Sequence, residues 1–203
     1  SAPASFRLAC HLKGADAGAL ETLSAPAGKV IRRVRLDGIA PRTPEPSMPH
    51  ESEFSPSVRF TSFDSWASLS RWYWSLYSER IVMSEEMRRD LAAVIAGAGG
   101  NMEKVRRIFN HVTSRIRYVG FELGLGGLQP RRSDETYHSG MGDCKDITLV
   151  LVALLRAAGI EAHLALVRTG DRGEADISAP HLGVFNHAIC YVEIAGGFFL
   201  DGT

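Results

Sequence analysis

The sequence has few cysteines, no long apolar run and no excess of either charge, and each absence excludes a class of protein. Only Cys10, Cys144 and Cys190 occur among 203 residues, too few for a disulfide scaffold. No run of 18 or more apolar residues is present, so no segment is predicted to span a membrane. Lys plus Arg and Asp plus Glu both total 23, which argues against a broadly basic nucleic-acid-binding surface.

The remaining composition is that of an ordinary globular protein. Hydrophobic residues make up 45% and charged residues 23% of the chain, which is long enough for one sizeable domain or one domain with a fragment of another. The chain begins with serine and ends in the strand-like "FFLDGT". We therefore expect it to be part of a longer protein that continues beyond Thr203.

A proline-rich segment divides the chain. Residues 40–57, "APRTPEPSMPHESEFSPS", hold five of the nine prolines. Because proline lacks a backbone N–H and restricts the residue before it, this segment is predicted to be an extended connector, neither a helix nor a central strand. Before this segment, alternating apolar residues predict a strand over residues 28–36. After it, the spacing of apolar residues predicts helices over 64–80, 84–100 and 101–120, and the expected caps of these helices are Asp64, Ser84 and Asn101.

Cys144 stands at the head of a long apolar helix. Residues 147–158 are almost all apolar, which predicts a helix buried at the domain centre, and Gly159 then ends it. At the first turn, free backbone N–H groups and the helix dipole favour a thiolate and are expected to lower the cysteine pKa from ~8.5 to roughly 3.5–7.5. The same N–H groups could hold the oxyanion of a tetrahedral intermediate.

Two strand patterns predict that a histidine and a carboxylate lie close to each other and can serve the Cys144 thiol. Residues 160–170 and 184–194 read as strands, and alternation puts His187 on the face opposite Cys190. A hairpin turning at Gly196–Gly197 would return Asp201, 14 residues after His187, to its side. Helices, a central helix and then antiparallel strands predict an α+β fold, with Cys144 as nucleophile, His187 as acid–base and Asp201 as the orienting carboxylate.

Each of these side chains also has an ordinary structural explanation. Cys144 could be an inert buried thiol, His187 a core or surface histidine and Asp201 a turn carboxylate. Gln129 could donate its amide to the oxyanion, or it could lie on a loop surface. Tyr118 and Trp72 could line a substrate cleft, or they could pack in the core.

No cofactor or metal is predicted. The glycine-rich residues 120–130 contain neither GxGxxG before a helix nor a phosphate-binding GxxxxGK[ST]. His163 and His181 lack a short ligand spacing, which leaves only a weak case for zinc, and no calcium-binding loop is present.

Three segments together resemble the transglutaminase-like superfamily. They are "GMGDCKDITLVLVALLRAAGIEA", "FNHAICYVEI" and "FFLDGT". The resemblance is strongest to bacterial members that carry an additional N-terminal β-rich domain of unknown function. It implies a papain-like core over residues 58–203, with the helix of Cys144 packed on an antiparallel sheet, and a β-rich domain fragment with its linker over residues 1–57. It also implies the roles given above for Cys144, His187 and Asp201, although Gly202 replaces the proline expected in that motif.

The resemblance implies a thiol-dependent enzyme that acts on a peptide or other amide through a Cys144 thioester. Water as the acceptor would make it a cysteine peptidase or amidase, and an amine would make it a transglutaminase-like acyltransferase; we favour hydrolysis. The alternatives are a non-catalytic binding or scaffold module with the same fold, and a metal site built from Cys144 and histidines. The expected partner is a peptide or protein amide rather than nucleic acid, and the oligomeric state stays open. The related bacterial proteins point to the periplasm or a membrane-associated location.

Overall fold

The computed structural model describes residues 8–14, 19–24, 30–41, 43, 45–120 and 124–203. The chain forms two compact units: Ser1–Leu69 with Arg168–Val184, and Ser70–Val167 with Phe185–Thr203. The predicted domain division after residue 57 stays a prediction.

The first unit contains two antiparallel strand pairs. β1 (Ala9–Lys13) pairs with β4 (Ser57–Thr61), and β2 (Leu20–Ser24) pairs with β3 (Val30–Val34). β3 confirms the strand predicted around residues 28–36, of which 28 and 29 lie outside the described residues.

The proline-rich connector holds a short helix, which corrects the prediction. α1 (Glu51–Phe54) occupies four residues between Pro49 and Pro56 that contain no proline, and the His50 side chain accepts a hydrogen bond from Ser52 N. A side-chain acceptor at this position satisfies a free N–H of the first turn. Residues 42 and 44 of the predicted connector lie outside the described residues.

The segment 168–184 is held within the first unit by polar contacts. The Arg168 guanidinium donates to Ser52 Oγ at 2.9 Å and to two backbone carbonyls at 2.8 and 3.1 Å. Asp176 forms an ion pair with Arg59, and both side chains are largely buried. This segment lies in sequence between two strands of the second unit, so the second unit is discontinuous in the chain.

Five helices follow the connector: α2 (Trp66–Tyr77), α3 (Glu85–Ile95), α4 (Asn101–Arg115), α5 (Ser133–Ser139) and α6 (Cys144–Ala157). The first three confirm the helices predicted from apolar spacing but are shorter than predicted. Ser84 is the predicted cap and accepts from Met87 N at 3.2 Å. Two predicted caps are displaced by one residue: Ser65 rather than Asp64 accepts from Ser68 N, and Gly100 rather than Asn101 precedes its helix.

A three-stranded antiparallel sheet packs against α6. The strands are β7 (Ala162–Val167), β8 (His187–Val192) and β9 (Phe198–Leu200), in the order β7–β8–β9. Alternate β8 residues Ala188, Cys190 and Val192 are buried, as the sequence predicted. A two-residue parallel pair, β5 (Arg117–Tyr118) with β6 (Met141–Gly142), lies just before α6 in the chain.

The core of the second unit is built around α6. Every residue from 144 to 155 is buried, so this helix is enclosed on all sides rather than along one stripe. The predicted α+β class and the central helix on an antiparallel sheet are both confirmed. No helix among the described residues is both long and apolar enough to cross a membrane. Residues 121–123 of the glycine-rich loop lie outside the described residues.

A buried polar network joins α3, α4 and α5. The Tyr137 hydroxyl is fully buried; it donates to Asp90 Oδ2 at 2.7 Å and lies 2.6 Å from His111 Nε2. The Arg115 guanidinium lies 4.1 Å from the centre of the Tyr137 ring. Since the hydroxyl donates to Asp90, His111 Nε2–H is the donor in the second bond.

This network makes stability sensitive to acid. Burial is the main reason that the pKa of His111 is lowered; Asp90 raises it and Arg115 lowers it. A histidine with a lowered folded-state pKa contributes full stability above its unfolded pKa of about 6.5, and that contribution is lost as pH falls below this value. We therefore expect His111→Gln to reduce the loss in thermal midpoint between pH 8 and pH 5.

The control is His138→Gln, because His138 is 86% exposed. This variant is expected to lose as much thermal stability on acidification as the unmodified chain. Equal acid sensitivity in the His111 variant and the unmodified chain would contradict the assignment.

Candidate active site

The start of α6 is held by a reciprocal capping box. The Asp143 side chain accepts from Asp146 N at 3.2 Å, and Asp146 Oδ2 accepts from Asp143 N at 3.4 Å. Asp146 also accepts from Arg131 N at 2.8 Å and Arg131 Nε at 3.0 Å. The first turn, which begins with Cys144, is therefore fixed from both sides.

Cys144 is nearly enclosed at this helix start. Its exposed fraction is 9%, and burial is the largest effect on its thiol, raising the pKa. Asp143 also raises the pKa, whereas a hydrogen bond with the Ala188 backbone and the Lys145 charge lower it. The expected lowering of the pKa is thus not observed in this structure, because loss of hydration outweighs the helix start.

Strand β8 is joined to α6 by a side-chain hydrogen bond. Thr148 Oγ1 donates to Ala188 O at 3.1 Å. Cys144 lies four residues before Thr148 and therefore on the same face of the helix, which packs against β8. His187 directly precedes Ala188 and is the first residue of β8.

His187 and Asp201 are brought together as the strand pattern predicted. His187 Nε2 lies 2.9 Å from Asp201 Oδ2, and the side chains are 17% and 52% exposed. An ionised carboxylate can only accept here, so Nε2 carries the proton and Nδ1 is the ring nitrogen left for proton transfer. The contact is observed; the catalytic roles of both residues stay predictions.

The Asp201 carboxylate is oriented by the residues that follow it. Thr203 N and Thr203 Oγ1 donate to Oδ1 at 3.1 and 2.8 Å, which leaves Oδ2 for His187. Burial raises the pKa of Asp201, but hydrogen bonds from His187 and Thr203 outweigh it and the pKa is lowered. Asp201 is therefore ionised at neutral pH.

Gly202 is explained by close packing against α6. A Cβ at this buried position would lie 2.9 Å from the Ile147 γ2 methyl and 3.0 Å from a Leu151 δ methyl. Both distances are shorter than normal carbon–carbon contacts, so a larger residue would push the chain away from the helix. The departure from the expected proline thus keeps Asp201 close to the helix that carries Cys144.

The predicted substrate-binding residues lie in three different places. Gln129 Nε2 donates to Leu76 O at 2.8 Å, which ties the Gln129 loop to the end of α2. Tyr118 is exposed on β5, and Trp72 is 37% exposed on α2. Their contacts with an oxyanion or substrate stay predictions.

Tyr73 is a neighbour of the site that sequence reasoning missed. It is 6% exposed, and its pKa is raised first by burial, then by Tyr77 and by Cys144. The interaction with Cys144 places the phenol within electrostatic range of the thiol. Its only sequence signal is the apolar spacing of α2, and the same spacing is typical of an ordinary core residue.

Among the described residues, no group of three or more His, Cys, Asp and Glu side chains is arranged to hold a metal ion.

Residues 89–197 match the model of the transglutaminase-like superfamily. The chain belongs to this superfamily. The match includes Cys144 and His187 and ends before Asp201. The family predicted from the sequence motifs is therefore confirmed, together with its helix-on-sheet core. No curated protein matches the sequence significantly.

Two solved structures are similar to this transglutaminase-like chain. One is a candidate protease from Parabacteroides distasonis, with a TM-score of 0.77 and 22% identity over 99% of this chain and 39% of that one. The other is a candidate cysteine protease from Cytophaga hutchinsonii, with a TM-score of 0.46 and 12% identity over 98% of this chain and 65% of that one. The first likeness supports the fold, and the chain spans 39% of that structure's length.

Proposed function

We propose that this chain carries a cofactor-independent cysteine peptidase or amidase site. The observation that carries the proposal is the 2.9 Å His187–Asp201 hydrogen bond, at the sheet that packs against α6, the helix that begins with Cys144. Membership of the transglutaminase-like superfamily supports it. A nucleophile, an acid–base and an orienting carboxylate are the set that covalent acyl transfer requires.

In the proposed acylation, the Cys144 proton passes to His187 Nδ1 as the sulfur attacks an amide carbonyl carbon. The C–S bond forms, and backbone N–H groups at the α6 start stabilise the oxyanion. The C–N bond then breaks as His187 returns the proton to the departing amine.

Water is the proposed acceptor in the second half-reaction. His187 takes a proton from the water as the water oxygen attacks the thioester carbon and forms a C–O bond. The C–S bond then breaks and His187 returns the proton to the Cys144 sulfur, which gives a carboxylic acid and the free thiol. A primary amine in place of water would give a new amide, which is the transglutaminase-type outcome. A buried thiol suits this scheme, because its thiolate then forms by proton transfer to His187 rather than by loss to solvent.

The test is incubation of the chain with a defined set of peptides containing glutamine, with and without methylamine, followed by mass spectrometry. Cleaved peptides indicate a peptidase, deamidated glutamine an amidase, and methylamide products an acyltransferase. We expect hydrolysis products in both conditions. Products that are unchanged by Cys144→Ala, or an absence of all products, would contradict the proposal.

The second candidate is a non-catalytic binding or scaffold module with the same fold. The observation that favours it is the 9% exposure of Cys144, since a thiol that never meets a substrate has no need to be accessible. A Cys144→Ala variant that left a cellular phenotype unchanged would support this alternative.

A further inference from the structure

A buried ion pair flanks the candidate nucleophile. Asp143 and Lys145 immediately precede and follow Cys144, and Lys145 Nζ contacts Asp143 Oδ2. Their side chains are 1% and 6% exposed. Charged side chains are rarely buried to this degree unless they are paired, so the pair calls for an explanation.

We propose that Lys145 is a positioning residue whose ammonium neutralises the Asp143 carboxylate, so that this carboxylate can cap α6 without repelling the thiolate of Cys144. The inference rests on the proposed role of Cys144 as nucleophile. It goes further by giving a function to a residue outside the proposed set of Cys144, His187 and Asp201.

The need for such a residue follows from the geometry of the cap. Asp143 accepts from Asp146 N and holds the first turn, yet its negative charge belongs to the residue directly before Cys144, whose sulfur must become negative. A carboxylate close to the sulfur disfavours formation of the thiolate, because like charges repel, and the repulsion is strongest where water is excluded. The Lys145 ammonium on the same carboxylate removes that conflict while the cap is kept.

In the part of the chain that the structure describes, the ion pair formed by Asp143 is the one with Lys145. The neighbouring carboxylate, Asp146, accepts two hydrogen bonds from Arg131. Tyr73 on α2 contributes a neutral phenol at neutral pH, because burial raises its pKa. His187 on β8 is hydrogen-bonded to Asp201 rather than to Asp143.

The test is the pH dependence of Cys144 alkylation by iodoacetamide, followed by mass spectrometry on the full chain. The rate is compared at a pH below the midpoint of the wild-type alkylation curve. At that pH, Lys145→Met is expected to slow alkylation of Cys144 about tenfold, because the Asp143 carboxylate is left without a neutralising charge. Asp143→Asn keeps a good cap and leaves the ammonium, so it is expected to speed alkylation by about tenfold. The double variant is expected to return close to wild type.

The inference would be overturned if the Lys145→Met variant were alkylated at the wild-type rate. It would also be overturned if the double variant were alkylated as slowly as Lys145→Met. If Lys145→Met does not fold, Asp143→Asn decides alone, and an unchanged or slower rate in that variant overturns it. Because alkylation reports the charge on sulfur without any turnover, the two proposals fail separately. If peptides are turned over but the alkylation rates of the variants do not change, only the role of Lys145 is contradicted. If the alkylation rates change but no peptide is turned over, only the proposed enzyme activity is contradicted.

Discussion

Cys144→Ala is expected to lower the acyl-transfer rate by roughly 10⁴- to 10⁶-fold, since the loss of a covalent nucleophile removes the reaction path itself. The direct measurement is covalent acetylation by p-nitrophenyl acetate, with the modified residue located by mass spectrometry. One acetyl group per chain on Cys144 is expected in the unmodified protein, and none in the variant.

Cys190→Ala is the matched control for this substitution. Cys190 is fully buried on β8, and burial raises the pKa of its thiol to about 12, so it has no nucleophilic form at neutral pH. The control variant is expected to be acetylated on Cys144 at the wild-type rate. An acetyl group on Cys190, or normal acetylation after loss of Cys144, would refute the assignment of the nucleophile.

His187→Gln is expected to slow both acylation and deacylation by about 10²- to 10⁴-fold, the range typical of a lost general acid–base. Glutamine keeps a polar side chain of similar reach, so the fold is expected to be retained while the imidazole that bonds Asp201 is lost. The measurement is the rate of acetylation of Cys144 as a function of pH, which should lie below the wild-type rate at every pH tested.

His163→Gln gives the comparison, because it makes the same change on β7 of the same sheet. His163 lies opposite Tyr191 and near Glu161 and Glu193, at 3.5 and 3.3 Å. Its variant should acetylate at the wild-type rate with an unchanged pH profile. Similar losses in both variants would indicate damage to the sheet instead of loss of a catalytic group.

The parts of the fold that repeat a simple period could be predicted from the sequence. The almost entirely apolar run over residues 147–158 predicted the buried helix α6, and the alternation of β8 predicted that Cys190 is buried while His187 is on the other face. The position of Cys144 at the helix start followed from where the apolar run begins. These predictions succeeded because one-sided burial makes apolar residues repeat about every 3.6 residues in a helix and every 2 residues in a strand.

Features that depend on polar contacts or on distant segments could not be predicted. α5 (Ser133–Ser139) has no apolar period; Ser133 is buried because its hydroxyl bonds Val82 N and Val82 O, and Tyr137 because it bonds Asp90. The raised pKa of Cys144 depends on how closely the sheet covers the helix start, which local sequence does not determine.

The discontinuity of the second unit has a consequence for the order of folding. α6 and β7 are synthesised before residues 168–184, which belong to the first unit, while β8 and β9 come after them. The β7–β8 pairing must therefore close over an intervening segment that forms its own contacts elsewhere, and such non-local pairing is slow. During synthesis, α6 and β7 therefore leave the ribosome before β8, the strand that pairs with β7. The Thr148 side chain of α6 gains its hydrogen-bond acceptor, Ala188 O, only after residue 188 has emerged.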